Sequence, residues 1–208
     1  MFKFELGLIT SLGLEETVLV EKGKPVAEVL VEGELSPFEH EALFQLLKKS
    51  FSIAQPSYVE LLDEHLATRV NITFHHPYNT SFFSQILQEN WRDLKDLLKE
   101  VRHRRGRAGA AFNLAFVDKG SRLVFKSGLL GPEEMSSAID QVGHLTGIVG
   151  EMTGLWKMEE ALGMIECMFD QKSDRWHNFR AWALSNDKTE YSFDDSSFKW
   201  TRAENRSG

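Results

Sequence analysis

Apolar and polar positions along this chain fall into short stretches whose period switches between two and about 3.6 residues. Phe2, Phe4, Leu6 and Leu8 alternate with Lys3, Glu5, Gly7 and Ile9, the period-two pattern of a half-buried strand. Two β-branched runs, 17–20 and 26–31, flank Lys22-Gly23-Lys24-Pro25, which reads as a turn. An antiparallel meander of two or three strands is the simplest account.

The sharpest local signal comes next. Ser36-Pro37-Phe38-Glu39 offers a capping hydroxyl, a proline at the first helical position and a glutamate three residues after the cap. In such a capping box the two side chains satisfy backbone N–H groups that the first turn leaves without partners. The spacing predicts a helix to about Ser50, with Leu43, Leu46 and Leu47 inward and Lys48 and Lys49 near its C-terminus. A second helix is expected from Pro56 or Ser57, burying Val59, Leu62 and Leu66.

Val70, Ile72 and Phe74 alternate with Arg69, Asn71, Thr73 and His75, predicting a strand with one polar face. The longest helix is expected over 80–104, with Phe83, Ile86, Leu87, Leu94, Leu97, Leu98 and Val101 on its apolar stripe and Gly106 as its stop. Strands follow at 110–117 and 122–126 across Asp118-Lys119-Gly120-Ser121, which has hairpin chemistry. Pro132-Glu133-Glu134 opens a helix to about Glu151, and strands are predicted at 162–169, 176–184 and 190–200. This order predicts an α+β fold with a largely antiparallel sheet and about four helices. It is expected to form one domain over 1–201, with 202–208 as a frayed tail.

Composition narrows the class. The chain has 208 residues, 42% hydrophobic and 26% charged, which is globular rather than disordered and large enough to hold a core without a staple. Its only cysteine, Cys167, excludes an internal disulfide, and its apolar strand pattern predicts a buried, inert thiol. There is no leader-like N-terminus and no apolar stretch near 18 residues, so the expectation is a cytoplasmic protein without a membrane span. The net charge of −7 argues against general nucleic-acid binding but leaves room for a local basic patch.

Few positions carry candidate chemistry. His75 and His76 stand where a strand end feeds a helix start, a place that can bind an anion and where imidazoles can act as acid, base or ligand. Asn79 and Thr80 are the helix-start residues beside them. Adjacent residues on an extended chain point to opposite sides, which disfavours chelation of one ion by the pair. Asp63-Glu64-His65 lacks the i, i+4 spacing of a zinc helix and reads as a solvated helix end. The basic run 102–107, with Arg104, Arg105 and Arg107, can grip phosphate; it equally suits the negative end of a helix dipole. Gly131-Pro132-Glu133-Glu134 has neither the spacing nor the charge of a phosphate loop.

Gly143, Gly147 and Gly150 lie in one predicted helix, where each glycine costs about 1 kcal/mol relative to alanine. Close backbone approach or self-association would explain them, and the helix can equally bend or break in this region. Trp176, Trp182 and Trp200 make the C-terminal third rich in rings, as sheet core or as a contact face. Gly143, Gly147, Trp176 and Trp182 are thus the candidate interface residues. No motif specifies a metal or a cofactor.

The leading expectation is a non-catalytic binding or assembly module, with a protein partner or a second copy of itself. The alternative is a hydrolase or transferase acting on a small anion, with His75 and His76 as its chemistry and Arg104, Arg105 or Arg107 as its grip. It requires those segments to meet. A third reading, nucleic-acid binding through 102–107, predicts affinity that falls steeply with salt.

Overall fold

In a computed structural model, the structure describes residues 23–54, 67–154, 162–183 and 189–203. They form one mixed sheet of nine strands in the order β2-β1-β3-β4-β5-β6-β7-β8-β9, with helices between. The strands are β1 (Val26–Glu32), β2 (Ser52–Ala54), β3 (Thr68–Phe74), β4 (Ala110–Asp118), β5 (Ser121–Lys126), β6 (Leu162–Asp170), β7 (Arg175–Ala183), β8 (Glu190–Asp194) and β9 (Lys199–Arg202). The helices are α1 (Pro37–Lys48), α2 (Glu89–Arg105), α3 (Pro132–His144) and α4 (Thr146–Gly154), with a π-helical turn at Phe82–Leu87 before α2. The expected strands at 2–9 and 17–20, the helix from Pro56 or Ser57 and the segment Asp63-Glu64-His65 lie outside the described residues.

The sheet is mostly antiparallel, but β1/β2, β3/β4 and β5/β6 are parallel. β1 pairs β2 in parallel and β3 in antiparallel; the expected meander of β1 with strands at 2–9 and 17–20 lies outside the described residues. Parallel neighbours need a crossover, and a helix supplies each one. All three crossovers pass over the same face. Side chains from α1, α2, α3 and α4 join one apolar core with the inward residues of the strands, including Val70, Ile72, Phe74, Phe112, Leu114, Phe116, Phe125, Cys167 and Trp176. Relative to strand direction, the step from β5 to β6 runs opposite to those from β1 to β2 and β3 to β4. Crossovers of one hand would therefore have put helices on both faces. The three therefore do not share one hand, so the usual right-handed rule cannot hold for all of them, and no described helix covers the second face.

Local chemistry explains the element ends. Ser36 Oγ accepts from Glu39 N at 3.2 Å and Glu39 Oε2 accepts from Ser36 N at 2.8 Å, closing the predicted capping box. The expected long helix at 80–104 is broken: Gln88 sits at φ 44 between the π-turn and α2. This break lets Phe82 and Leu87 both reach full burial. The expected helix 132–151 is likewise two helices, divided at Leu145. The region 190–200 is a hairpin, β8 and β9, rather than one strand. Opposed bulges appear in the β6/β7 pairing, one of them beside Asn178 at φ 54.

The core centre is aromatic. Phe116 packs against Phe74, Tyr78, Phe82 and Phe125 at centroid distances of 5.3, 4.9, 5.0 and 6.2 Å, in the tilted and edge-on arrangements that ring quadrupoles favour. Two of the expected interface residues are spent here. Trp176 is 5% exposed and donates Nε1–H to the Ala138 carbonyl at 2.9 Å. A Cβ on Gly143 would lie 3.3 Å from Trp91 Nε1, so this glycine lets α3 approach α2. Trp176 is thus buried in the core, while Gly143 is half-buried against α2.

Candidate functional site

The open face of the sheet is polar at its centre and carefully paired. Along β3, β4 and β5 it presents Arg69, Asn71, Thr73, Ala111, Asn113, Ala115, Arg122, Val124 and Lys126, alternating with the core residues of the same strands. Asn113 Nδ2 donates to Asn71 Oδ1 at 2.7 Å, and Asn71 Nδ2 donates to the Leu30 carbonyl at 3.2 Å. Arg69 pairs with Glu32 at 3.0 Å, Arg180 with Glu190 at 3.5 Å, and Lys126 with Glu166. His75 meets Glu28 through Nε2 at 2.7 Å.

Arg122 is the exception. It is exposed, its nearest polar partner is Thr73 Oγ1 at 3.4 Å, and it has no carboxylate partner among the described residues. Arg122 stands opposite Val117 on β4, and its side chain reaches diagonally across that strand to Thr73, the partner of Ala115.

Below Arg122, where β3 and β4 end, the sheet edge opens into a cleft of about 300 Å³. Tyr78, Phe116, Leu123, Val149 and Ile165 line its apolar part; Asp118, Lys119, Ser121 and Arg122 stand on the β4–β5 hairpin; Gly150 and Thr153 come from α4. The volume lies at the small end of the range for ligand pockets. Tyr78 hydrogen-bonds the Val142 carbonyl at the end of α3. Burial, and then nearby Cys167, push its phenol well above the ordinary range, so it stays a neutral donor. Cys167 is fully buried and burial, then Glu166, raise its thiol likewise. Gly150 is exposed, and a Cβ there would meet nothing within 4 Å. The glycine keeps the mouth wide.

The sequence-predicted residues distribute differently. His75 is exposed on the open face, whereas His76 Nδ1 contacts the Pro77 carbonyl at 2.8 Å and its ring packs on Phe82. The two rings serve separate surroundings. Asn79 Oδ1 accepts from Phe82 N at 2.9 Å and from Ser81 Oγ at 2.7 Å, a helix-cap role. Thr80 Oγ1 lies 3.2 Å from Thr146 Oγ1. The basic run is at the opposite end of the sheet: α2 carries the chain from the end of β3 back to the start of β4, which lies beside the start of β3. A seven-residue strand is about 20 Å long, so His75 and the arginines do not share a cleft. Arg104 pairs with buried Glu39 at 3.3 Å and Arg105 with Glu34 at 3.4 Å, tying α2 to the start of α1. Arg107 is exposed. Gly147 is open to solvent, and Trp182 is half-buried, paired across strands with Met164.

Among the described residues no helix is long and apolar enough to cross a membrane, and no group of three or more His, Cys, Asp or Glu converges as a metal site. Comparison with protein-family models, with curated protein sequences and with solved structures finds no match. Arg122, Lys119, Tyr78 and Gly150 escaped sequence reasoning as a group because they come from the end of β3, a hairpin and a helix, with no spacing that links them.

Proposed function

We propose that the chain is a non-catalytic binding module that holds a small molecule in the cleft between α4 and the β4–β5 hairpin. The observation that carries this reading is the cleft itself: an apolar floor of Tyr78, Phe116, Leu123 and Ile165 opens to solvent beneath a polar hairpin. Apolar surface left accessible in a concave site gains about 25 cal/mol for each Å² that a ligand covers, and the surrounding polar groups can orient what binds. The described lining groups favour holding over transforming. No imidazole or thiol is among them, and the Tyr78 phenol is kept protonated.

Filling the cleft tests the reading. Gly150→Leu projects a side chain into open space, and small-molecule hits from a thermal-shift screen of the wild-type protein should lose their effect on this variant. Amide NMR shifts for those hits should cluster at 118–123 and 149–153. Hits that stabilise Gly150→Leu as well as wild type would move the site elsewhere.

Assembly through the open sheet face is a second reading, favoured by half-buried Trp182, paired with Met164, and by exposed Met168 four residues further along β6. Sedimentation equilibrium should then show a dimer that Trp182→Ala dissociates; a wild-type monomer at high concentration would rule it out.

A further inference from the structure

We infer that the ligand of this cleft is an apolar monocarboxylate anchored by Arg122; the inference rests on the cleft being the binding site. Three observations point the same way. First, Arg122 is shared by two adjoining spaces. It lines the 300 Å³ cleft and also a groove of about 250 Å³ on the open sheet face, bordered by Asn71, Thr73, Asn113, Ala115, Val124 and Lys126. Its guanidinium therefore stands at the mouth between an apolar hollow and a polar surface.

Second, Arg69, Lys126 and Arg180 on the same face are each neutralised by a carboxylate, while among the described residues Arg122 has only the weak Thr73 contact. A guanidinium presents a planar fork of donors that matches a carboxylate with two parallel hydrogen bonds. The single contact to Thr73 leaves the fork's other donors free for a ligand.

Third, the local charge selects a single negative charge. Lys119 and Arg122 are opposed by Asp118 in the cleft lining, a balance of one positive charge. The apolar part sets the size. At roughly 30 Å³ per water-sized group, a cleft of about 300 Å³ accepts about ten non-hydrogen atoms. A medium-chain or aryl-alkyl carboxylate meets both requirements.

The test compares octanoate, 1-octanol and octyl phosphate by isothermal titration and by amide NMR shifts, on wild type, Arg122→Met and Gly150→Leu. Arg122 is exposed and Met keeps an apolar stem, so the variant retains the fold, which circular dichroism checks. Octanoate should bind wild type at least tenfold more tightly than either other compound. Arg122→Met should lose at least tenfold for octanoate and leave octanol unchanged, and Gly150→Leu should weaken both. Octanol binding as well as octanoate, octyl phosphate binding best, or indifference of octanoate to Arg122→Met would each overturn the anchor; the cleft reading would survive if Gly150→Leu still abolished binding. Failure of all three compounds to bind wild type would also overturn the carboxylate assignment, and the unbiased screen of Gly150→Leu decides the cleft separately.

Discussion

Replacing Trp176 with alanine removes an indole that touches Phe112, Phe125 and Phe169 at centroid distances of 6.1, 5.2 and 5.4 Å and hydrogen-bonds the Ala138 carbonyl. The residue stitches β7 to α3 and to the middle of the sheet. Truncating a buried aromatic side chain costs about 3–5 kcal/mol through lost transfer energy and the cavity left behind. Losing the hydrogen bond adds about 1 kcal/mol. For a chain of 208 residues, where each kcal/mol moves the melting temperature by roughly 2–4 °C, Tm should fall by about 10–20 °C. Urea unfolding followed by far-UV circular dichroism gives the free energy without relying on tryptophan emission. Trp182→Ala is the internal comparison: this ring is half-buried on the opposite face, so its loss should cost less than half as much. A Trp176→Ala penalty below about 1.5 kcal/mol, or equal penalties for the two variants, would refute the placement of Trp176 in the core. A change in subunit number at unaltered stability would return it to the assembly role that its sequence context first suggested.

Further outcomes follow from named contacts. Ser36→Ala should destabilise the protein by about 1 kcal/mol, read as a lower urea midpoint at unchanged slope, because Glu39 N loses its acceptor. Gly150→Ala should raise stability by about 1 kcal/mol, since its methyl group meets open space. Gly143→Ala should fail to gain as much, because its methyl presses on Trp91; equal gains in calorimetry would contradict the α2–α3 contact. Burial raises the Asp140 carboxyl, but the hydrogen bond and charge of Lys95, then those of Lys99, outweigh it and leave its pKa below the ordinary value. A depressed folded pKa stabilises above the unfolded value of about 3.9, and the benefit disappears as pH falls through the folded value. Asp140→Asn should therefore be less stable than wild type at pH 6, with the gap closing in acid; a gap independent of pH would discount the charges. Exposed Asp194 is held down to about 2 by hydrogen bonds from Ser197 and then Ser196. Carboxyl ¹³C NMR should record that titration, moved upward in Ser197→Ala.

Local structure was readable wherever the cause was local. The Ser36–Glu39 box marked the start of α1, alternation marked β3, and Asp118-Lys119-Gly120-Ser121 marked the β4–β5 turn. The continuous helix expected at 80–104 failed for a long-range reason. Its periodicity is helical throughout, but Phe82 must enter the aromatic core beside Phe74 and Phe116, and the chain unwinds at Gln88 to permit it. The break at Leu145 falls among Gly143, Gly147 and Gly150, where the sequence allowed the helix to bend or break. In the candidate site, the histidines drew notice by residue type and by their place between a strand end and a helix start, while Arg122 looked like an ordinary strand-end charge.

Periodicity, capping chemistry and composition determined that this chain builds strands and helices around one aromatic-rich core, because those signals act over a few residues. Only the tertiary structure decided that β1, β3 and β5 have parallel neighbours, that all crossovers lie on one face, that Trp176 is buried, and that Gly143 faces Trp91 of α2. It also decided that His75 and the basic run stand at opposite ends of the sheet and that Arg122 lacks a carboxylate partner among the described residues. These properties depend on which distant segments become neighbours, and pairing across the sheet is set by the summed packing of side chains far apart in sequence.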